Sequence, residues 1–238
     1  MIRPDPALRY ERLDALRGAA VVWMAIFHFC FDLDHFGLIA ADFKHDPFWT
    51  WQRTAIVSLF LFCAGLGQSV ALTQGQRWPR FWRRWAQVAG CALLVSAGSW
   101  LMFPRSFISF GVLHAMALML LILRLLAPRL PPAALFGLGL LALAAPLLWQ
   151  HPVFDSRWTN WVGLVTAKPF TEDYVPLLPW IGVMLWGCAL GRWRPALLQG
   201  ALPAVLAPLA ALGRWSLSFY MLHQPLLIGL LMAVTMAA

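Results

Sequence analysis

The chain has 238 residues, 61% of them hydrophobic and only 12% charged, with a formal net charge of +8. Soluble domains are about 45–50% apolar and about 25% charged. This composition, with a mean hydropathy of +0.69, excludes a water-soluble globular domain and points to an integral membrane protein. The basic residues sit between apolar runs, which assigns them to membrane topology and to anionic head groups or phosphates, not to nucleic acid.

Seven candidate spans follow in order: Leu16–Leu38, Arg53–Leu72, Trp85–Met102, Phe107–Leu125, Pro132–Trp149, Leu177–Gly191 and Trp215–Met236. A crossing helix needs ~20 residues. The sixth run is short and is expected to borrow Tyr174–Pro176. The apolar stretch Ala196–Leu212 is interrupted by Pro203 and Pro208, so it reads as an interfacial helix or a tucked loop. If it crosses, the spans number eight and the C-terminus changes sides. The first run follows a charged segment without a small-residue cleavage site, so it reads as a retained helix and not a signal peptide. With the N-terminus in the cytoplasm, thirteen of the 18 Lys and Arg fall on inner segments and five on outer ones, the positive-inside pattern. The expected fold is an all-α polytopic bundle of about seven transmembrane helices with a cytoplasmic N-terminus, one domain over residues 1–238. The longest outer loop, Gln150–Val175, mixes Trp158 and Trp161 with Asp155, Asn160 and Glu172. That mixture suits interface anchoring, and it also suits a sugar. Cys30, Cys63, Cys91 and Cys188 are scattered through apolar runs and read as small core residues, not as disulfides or a metal site.

The chemistry concentrates in the first span. His28 and Asp32 are four apart and leave a helix from one face. Polar groups in hydrocarbon are costly unless partnered, so protein must surround them. From Arg17 to His28 is eleven helical steps, ~16 Å of rise, which puts His28 near the bilayer centre. His114 in the fourth span and His223 in the seventh reach a similar depth. A shared polar cavity is therefore expected, with imidazoles that can accept a proton and Asp32 orienting His28. Zinc is disfavoured, because no two of these histidines share a helix at ligand spacing, and no metal is expected.

Other motifs surround this centre. Asp14-x-x-Arg17-Gly18 opens the first span. Asp14 suits the helix N-terminus, Gly18 lets a neighbouring helix approach, and Arg17 suits a phosphate at the inner mouth. Arg77, Arg80, Arg83 and Arg84 form the densest basic cluster, which either anchors a loop inside or offers guanidinium forks to a nucleotide-like donor. Gly65-x-Gly67-Gln68 reads as a close helix contact with one buried amide. Phe110-Gly111-Val112-Leu113-His114 brings a backbone near a neighbour and adds an imidazole. Asp173-Tyr174-Val175-Pro176-Leu177-Leu178-Pro179-Trp180 leads into the sixth span. In the last span Ser216, Tyr220, His223 and Gln224 lie close to one stripe, and Pro225 frees the carbonyl of Met221.

Together these blocks resemble a known family. Arg12-Leu13-Asp14-x-x-Arg17-Gly18 followed by Phe27-His28-x-x-x-Asp32-Leu33 is similar to the opening of the bacterial DUF1624 membrane proteins. These are grouped with the catalytic domain of heparan-alpha-glucosaminide N-acetyltransferase. Phe60-Leu61-Phe62-x-x-Gly65, Phe110–His114, Asp173-Tyr174-x-Pro176-Leu177-x-Pro179-Trp180 and Ser216-Leu217-x-x-Tyr220-x-x-His223-Gln224-Pro225 resemble later blocks in the same order. The resemblance implies a multi-pass protein of the bacterial inner membrane that moves an acetyl group from cytoplasmic acetyl-CoA to an amino sugar or sugar hydroxyl on the far side. It implies catalytic roles among His28, Asp32, His35, His114 and His223. Arg17, Arg77, Arg80, Arg83, Arg84 and Arg214 would hold the acetyl-CoA phosphates. Asp173, Tyr174, Trp180, Tyr220 and Gln224 would bind the acceptor. In the eukaryotic relative the catalytic histidine follows the first helix, and an asparagine stands at the place of His28. Here only His35 and His45 lie in that region and neither aligns, so His28 with Asp32 is the first choice of base and His35 the second. Membrane lipids and a sugar or glycolipid acceptor are the expected partners, with a homodimer open. Direct transfer and an acetyl-histidine intermediate both remain open. Two other classes compete: a transporter or flippase of a glycolipid or small solute that uses the same buried groups, and a structural subunit.

Overall fold

The computed structural model describes residues 10–237. Among them the regular structure is helical, with no strand. Eight α-helices follow in order: α1 Glu11–His35, α2 Pro47–Thr73, α3 Trp78–Met102, α4 Val112–Leu126, α5 Pro132–Leu148, α6 Trp180–Trp193, α7 Ala207–Arg214 and α8 Ser216–Ala237. Five are long and apolar enough to cross a bilayer: α1, α2, α3, α8, and α4 with its 3-10 extension to Arg129. The other two expected spans are the shorter α5 and α6, with 17 and 14 residues, or ~26 and ~21 Å of rise. On α8 the leucines 222, 226 and 230 form a four-residue repeat, each more than half exposed. Such a stripe suits lipid and not water.

Several expected boundaries move, each for a local reason. Helix α1 begins at Glu11, so Asp14 lies inside its first turn and not before it. Helix α3 begins at Trp78 with Pro79 in its first turn, where a missing N–H costs nothing. The basic cluster therefore rides on the helix itself. Helix α4 begins at Val112, because residues 106–108 spend their polar groups sideways: Ile108 N–H donates to Ser99 Oγ at 3.0 Å and Ser96 Oγ donates to the Ile108 carbonyl at 2.6 Å. Helix α6 does not borrow Tyr174–Pro176. Leu177 and Leu178 donate to the carbonyls of Trp161 and Val162 at 2.7 and 2.9 Å, which ties that segment to the outer loop. Within Ala196–Leu212 the longest helical piece belongs to the eight-residue α7, so this stretch does not cross as one helix. Arg3 and Arg9, which counted toward the inner charge, lie outside the described residues.

The chain divides into two compact units, with the division inside α2 between Phe60 and Leu61. One unit holds Leu61–Leu197. There α5 packs on α6 and α3 on α4, and the second half of α2 meets α6 at very short range. A Cβ on Gly65 would stand 2.1 Å from the Met184 carbonyl oxygen, which is the close helix contact expected of that glycine. Leu61, Met119, Leu123, Leu135 and Met184 form its solvent-free interior.

The other unit holds Arg9–Phe60 and Leu198–Ala238. Here α1 is the central element, flanked by α7 and α8. A Cβ on Gly18 would lie 1.9 Å from the Leu209 carbonyl oxygen, and one on Gly213 would lie 1.8 Å from that of Asp14. Two glycines, one from each helix, thus allow α1 and α7 to touch backbone to backbone. Met24, Phe27, Phe43 and Ile56 form the buried cluster of this unit, with Trp23, Trp49 and Tyr220 packed against it.

Candidate active site

The contact between α1 and α8 carries the most polar chemistry at buried positions. His28 Nδ1 lies 2.7 Å from His223 Nε2. The ring centroids are 5.0 Å apart and the planes differ by 14°. That separation is two ring radii plus the bond, so the imidazoles meet edge to edge in nearly one plane. His223 Nδ1 in turn faces the Tyr220 carbonyl at 2.8 Å, with the Phe219 carbonyl at 3.2 Å. A carbonyl only accepts, so Nδ1 of His223 carries the proton. The neutral ring then has a bare Nε2, and the bond between the rings must be donated by His28 Nδ1–H. One lone pair is left over, on His28 Nε2, which has no hydrogen bond among the described residues. The tautomers follow from the hydrogen-bond network in this way. If Nε2 takes a proton, no bond in the chain has to break.

One helical turn along, Gln224 Nε2 donates to Asp32 Oδ1 at 2.7 Å. Asp32 is 3% exposed, and its Oδ2 and the Oε1 of Gln224 have no partner among the described residues. The expected carboxylate–imidazole contact is therefore absent: His223 orients His28, and Gln224 holds Asp32. The reason is register. Residues 28 and 32 leave α1 on one face, and α8 sets residues 223 and 224 against them. Tyr220 supplies the carbonyl that fixes His223 and packs its ring beside it. Gln52, which the sequence reading passed over, accepts from Trp23 Nε1 at 3.0 Å and ties α2 to α1. His35 lies exposed at the end of α1, with its ring against Phe36. Arg17 donates to Asp14 at 3.2 Å, and Arg214 donates to the Ala210 carbonyl, also at 3.2 Å.

The other unit holds the remaining candidates. His114 Nδ1 accepts from the Gly111 N–H at 3.3 Å, so Nε2 carries the proton and donates to Ser96 Oγ at 3.1 Å. Ser96 then donates to Ile108. Both nitrogens of His114 are thus engaged in holding the start of α4 against α3. Sequence reading missed Ser96 and Ser99, yet two hydroxyls three apart in an apolar span were the available signal. Asp173 Oδ2 accepts from the Val112 N–H at 2.8 Å and caps α4 from a distance. Tyr174 donates to the Asn160 carbonyl at 2.7 Å, and burial, with the charge of Asp155, pushes its phenol up to about 12. Ser106 donates to Glu172. Trp180 opens α6, half-buried. Arg77 stands just before α3 and Arg80, Arg83 and Arg84 follow in its first turns; all four are exposed. Among the described residues no group of His, Cys, Asp or Glu is arranged to hold a metal ion.

A helical chain with five bilayer-length apolar helices and buried imidazoles on two of them is a multi-pass membrane protein with an enzyme-like polar centre. The chain belongs to the family described as heparan-alpha-glucosaminide N-acetyltransferase, catalytic, whose profile it matches over residues 9–225. Membership carries a transmembrane acetyltransferase activity in general terms. No curated protein and no solved structure matches the chain.

Proposed function

We propose that the protein transfers an acetyl group from cytoplasmic acetyl-CoA to an amino sugar or sugar hydroxyl at the outer side of a bacterial inner membrane, with His28 as the base. The observation that carries this reading is the lone pair left on His28 Nε2 by the chain from Tyr220 through His223. As the acceptor nitrogen or oxygen attacks the thioester carbonyl, its proton passes to Nε2. The carbon–sulfur bond then breaks, the new acetyl bond remains on the acceptor, and the leaving thiolate takes the proton from Nε2 to give coenzyme A. His223 keeps the ring in position through both steps, so the base returns to its starting tautomer. Gln224 and Asp32, one turn away, offer acceptor oxygens to hydroxyl or amine groups of the sugar. The basic residues Arg17, Arg77, Arg80, Arg83, Arg84 and Arg214 give the inner side a field that attracts the donor's phosphates. In this reading the chain crosses the membrane seven times, with its N-terminus in the cytoplasm.

Purified full-length protein in detergent, given acetyl-CoA and glucosamine, tests this. The expected result is release of one free thiol for each acetylated sugar. Thiol release that is the same with and without the sugar, with no acetylated product, contradicts it.

A further inference from the structure

The contact between α1 and α8 leaves two oxygens without a donor, and a single proton satisfies both. Asp32 Oδ2 and Gln224 Oε1 are sealed from solvent, and neither has a hydrogen-bond partner among the described residues. The other arms of the same two groups are already joined, with Gln224 Nε2 donating to Asp32 Oδ1 at 2.7 Å. We infer that Asp32 is a neutral carboxylic acid whose Oδ2–H donates to Gln224 Oε1, so that acid and amide close a two-bond clamp between α1 and α8.

An ionised carboxylate has only acceptors. Against Gln224 it takes one bond from the amide N–H and leaves its second oxygen and the amide oxygen both without a donor. Turning the amide over exchanges the two arms and keeps the same mismatch. A protonated carboxyl offers one donor and one acceptor, as the amide does, so the two edges match. The surroundings give an ionised Asp32 no other support. It is 3% exposed. The ion pairs among the described residues join Arg17 to Asp14 and His45 to Asp42, and neither includes it. The titratable groups near it on α1 are His28, Asp34 and His35. Asp34 is itself an acid, engaged with the Ala41 N–H at 2.8 Å, and His35 is exposed at the helix end. On α8 the facing groups are Gln224 and His223, and the His223 ring is neutral, with Nδ1–H on the Tyr220 carbonyl. A buried carboxylate without a charged partner is costly enough that the group takes up a proton instead.

The clamp makes the whole α1–α8 contact uncharged. A carboxylate one turn from His28 would favour the charged imidazolium. A neutral acid leaves the lone pair on His28 Nε2 bare, and it holds the register in which residues 223 and 224 meet residues 28 and 32. The carbonyl oxygens of acid and amide each keep a second lone pair, so the pair can still accept from a sugar. The clamp itself does not depend on the function proposed above.

Infrared spectra of the purified full-length protein in neutral buffer read the proton directly, because a protonated carboxyl has a carbonyl stretch distinct from those of carboxylates and amides. Wild type should show this band. Isotopic labelling of the aspartate carboxyl carbon should move it to lower frequency without any mutation, and Asp32→Asn should remove it. Gln224→Leu should keep the band and move it to higher frequency, since the carbonyl of the acid loses the Gln224 N–H. A wild type without the band, a band that survives Asp32→Asn, or a band that Gln224→Leu leaves in place overturns the clamp. Stability gives a second reading. Asparagine still donates to Gln224 Oε1, whereas alanine leaves both arms of that amide bare. The thermal midpoint of Asp32→Asn should therefore lie above that of Asp32→Ala, and equal midpoints contradict the clamp. A midpoint raised by sodium or potassium ions in wild type but not in Asp32→Asn would put a metal cation between the oxygens and likewise overturn it.

Discussion

Replacing His223 by glutamine and by alanine separates two things its ring does. Glutamine can still accept the proton of His28 Nδ1, whereas alanine leaves that donor bare at a buried site. His223→Gln is therefore expected to keep more activity than His223→Ala. Both losses should fall within the roughly 10²–10⁴-fold that a general base supplies. The change should appear in kcat and not in KM. A pH profile of kcat/KM that moves in the alanine variant and stays in place in the glutamine variant marks His223 as a positioning residue; equal effects of the two variants contradict this. Tyr174 offers a second measurement at this scale. Its phenol donates to the Asn160 carbonyl and is pushed up to about 12 by burial first and by Asp155 second. A raised phenol favours the fold while protonated. Its contribution is thus fully present below the ordinary value of ~10 and is lost as pH rises through the higher one. The phenol that a Tyr174→Phe variant removes should ionise at about pH 12 in an absorbance titration. If it ionises at the ordinary value of ~10, the burial of the Tyr174 phenol beside Asp155 is wrong.

The elements depend on close approaches that small residues allow. Helices α1 and α7 meet at Gly18 and Gly213, where a Cβ would collide with backbone that cannot move aside. Gly18→Ala and Gly213→Ala should each destabilise by about 1–3 kcal/mol, read as a lower thermal midpoint in detergent. The double variant should cost less than the two singles added, because the first change already parts the helices at the shared contact. Additive losses would mean the two glycines do not serve one interface. At this scale the sequence was partly legible. Apolar runs located a helix in each expected span, because burial in lipid demands apolar length. Their ends were not legible, since those depend on where backbone groups find tertiary partners. Ser96 and Ser99 hold Ile108 out of α4, and Trp161 and Val162 hold Leu177 and Leu178 out of α6. The spacing of His28 and Asp32 gave their shared face but not their partners, because the register of α8 on α1 lies in no local pattern.

Across the whole chain, charge asymmetry predicts which side each segment faces. Alkaline phosphatase fused after Gln76 should be inactive in a bacterial host, and fused after Trp158 it should be active, because that enzyme needs the periplasm. The reverse pattern would invert the topology and place the basic turn on the wrong side for a cytoplasmic donor. The family was legible in the ordered blocks from Arg12 to Pro225, and the match over residues 9–225 bears that reading out. What the blocks could not give was the role of each residue. His114 matches its block as well as His223 does, yet both its nitrogens are engaged with Gly111 and Ser96.

The proposed transfer rests on the bare nitrogen of His28. The most direct test is a single-turnover measurement of acetyl transfer from acetyl-CoA to glucosamine by wild type and His28→Ala, with coenzyme A binding measured alongside. We expect coenzyme A to bind both proteins equally while transfer in the variant falls by about 10²–10⁴-fold. Transfer at the wild-type rate in His28→Ala would contradict the account.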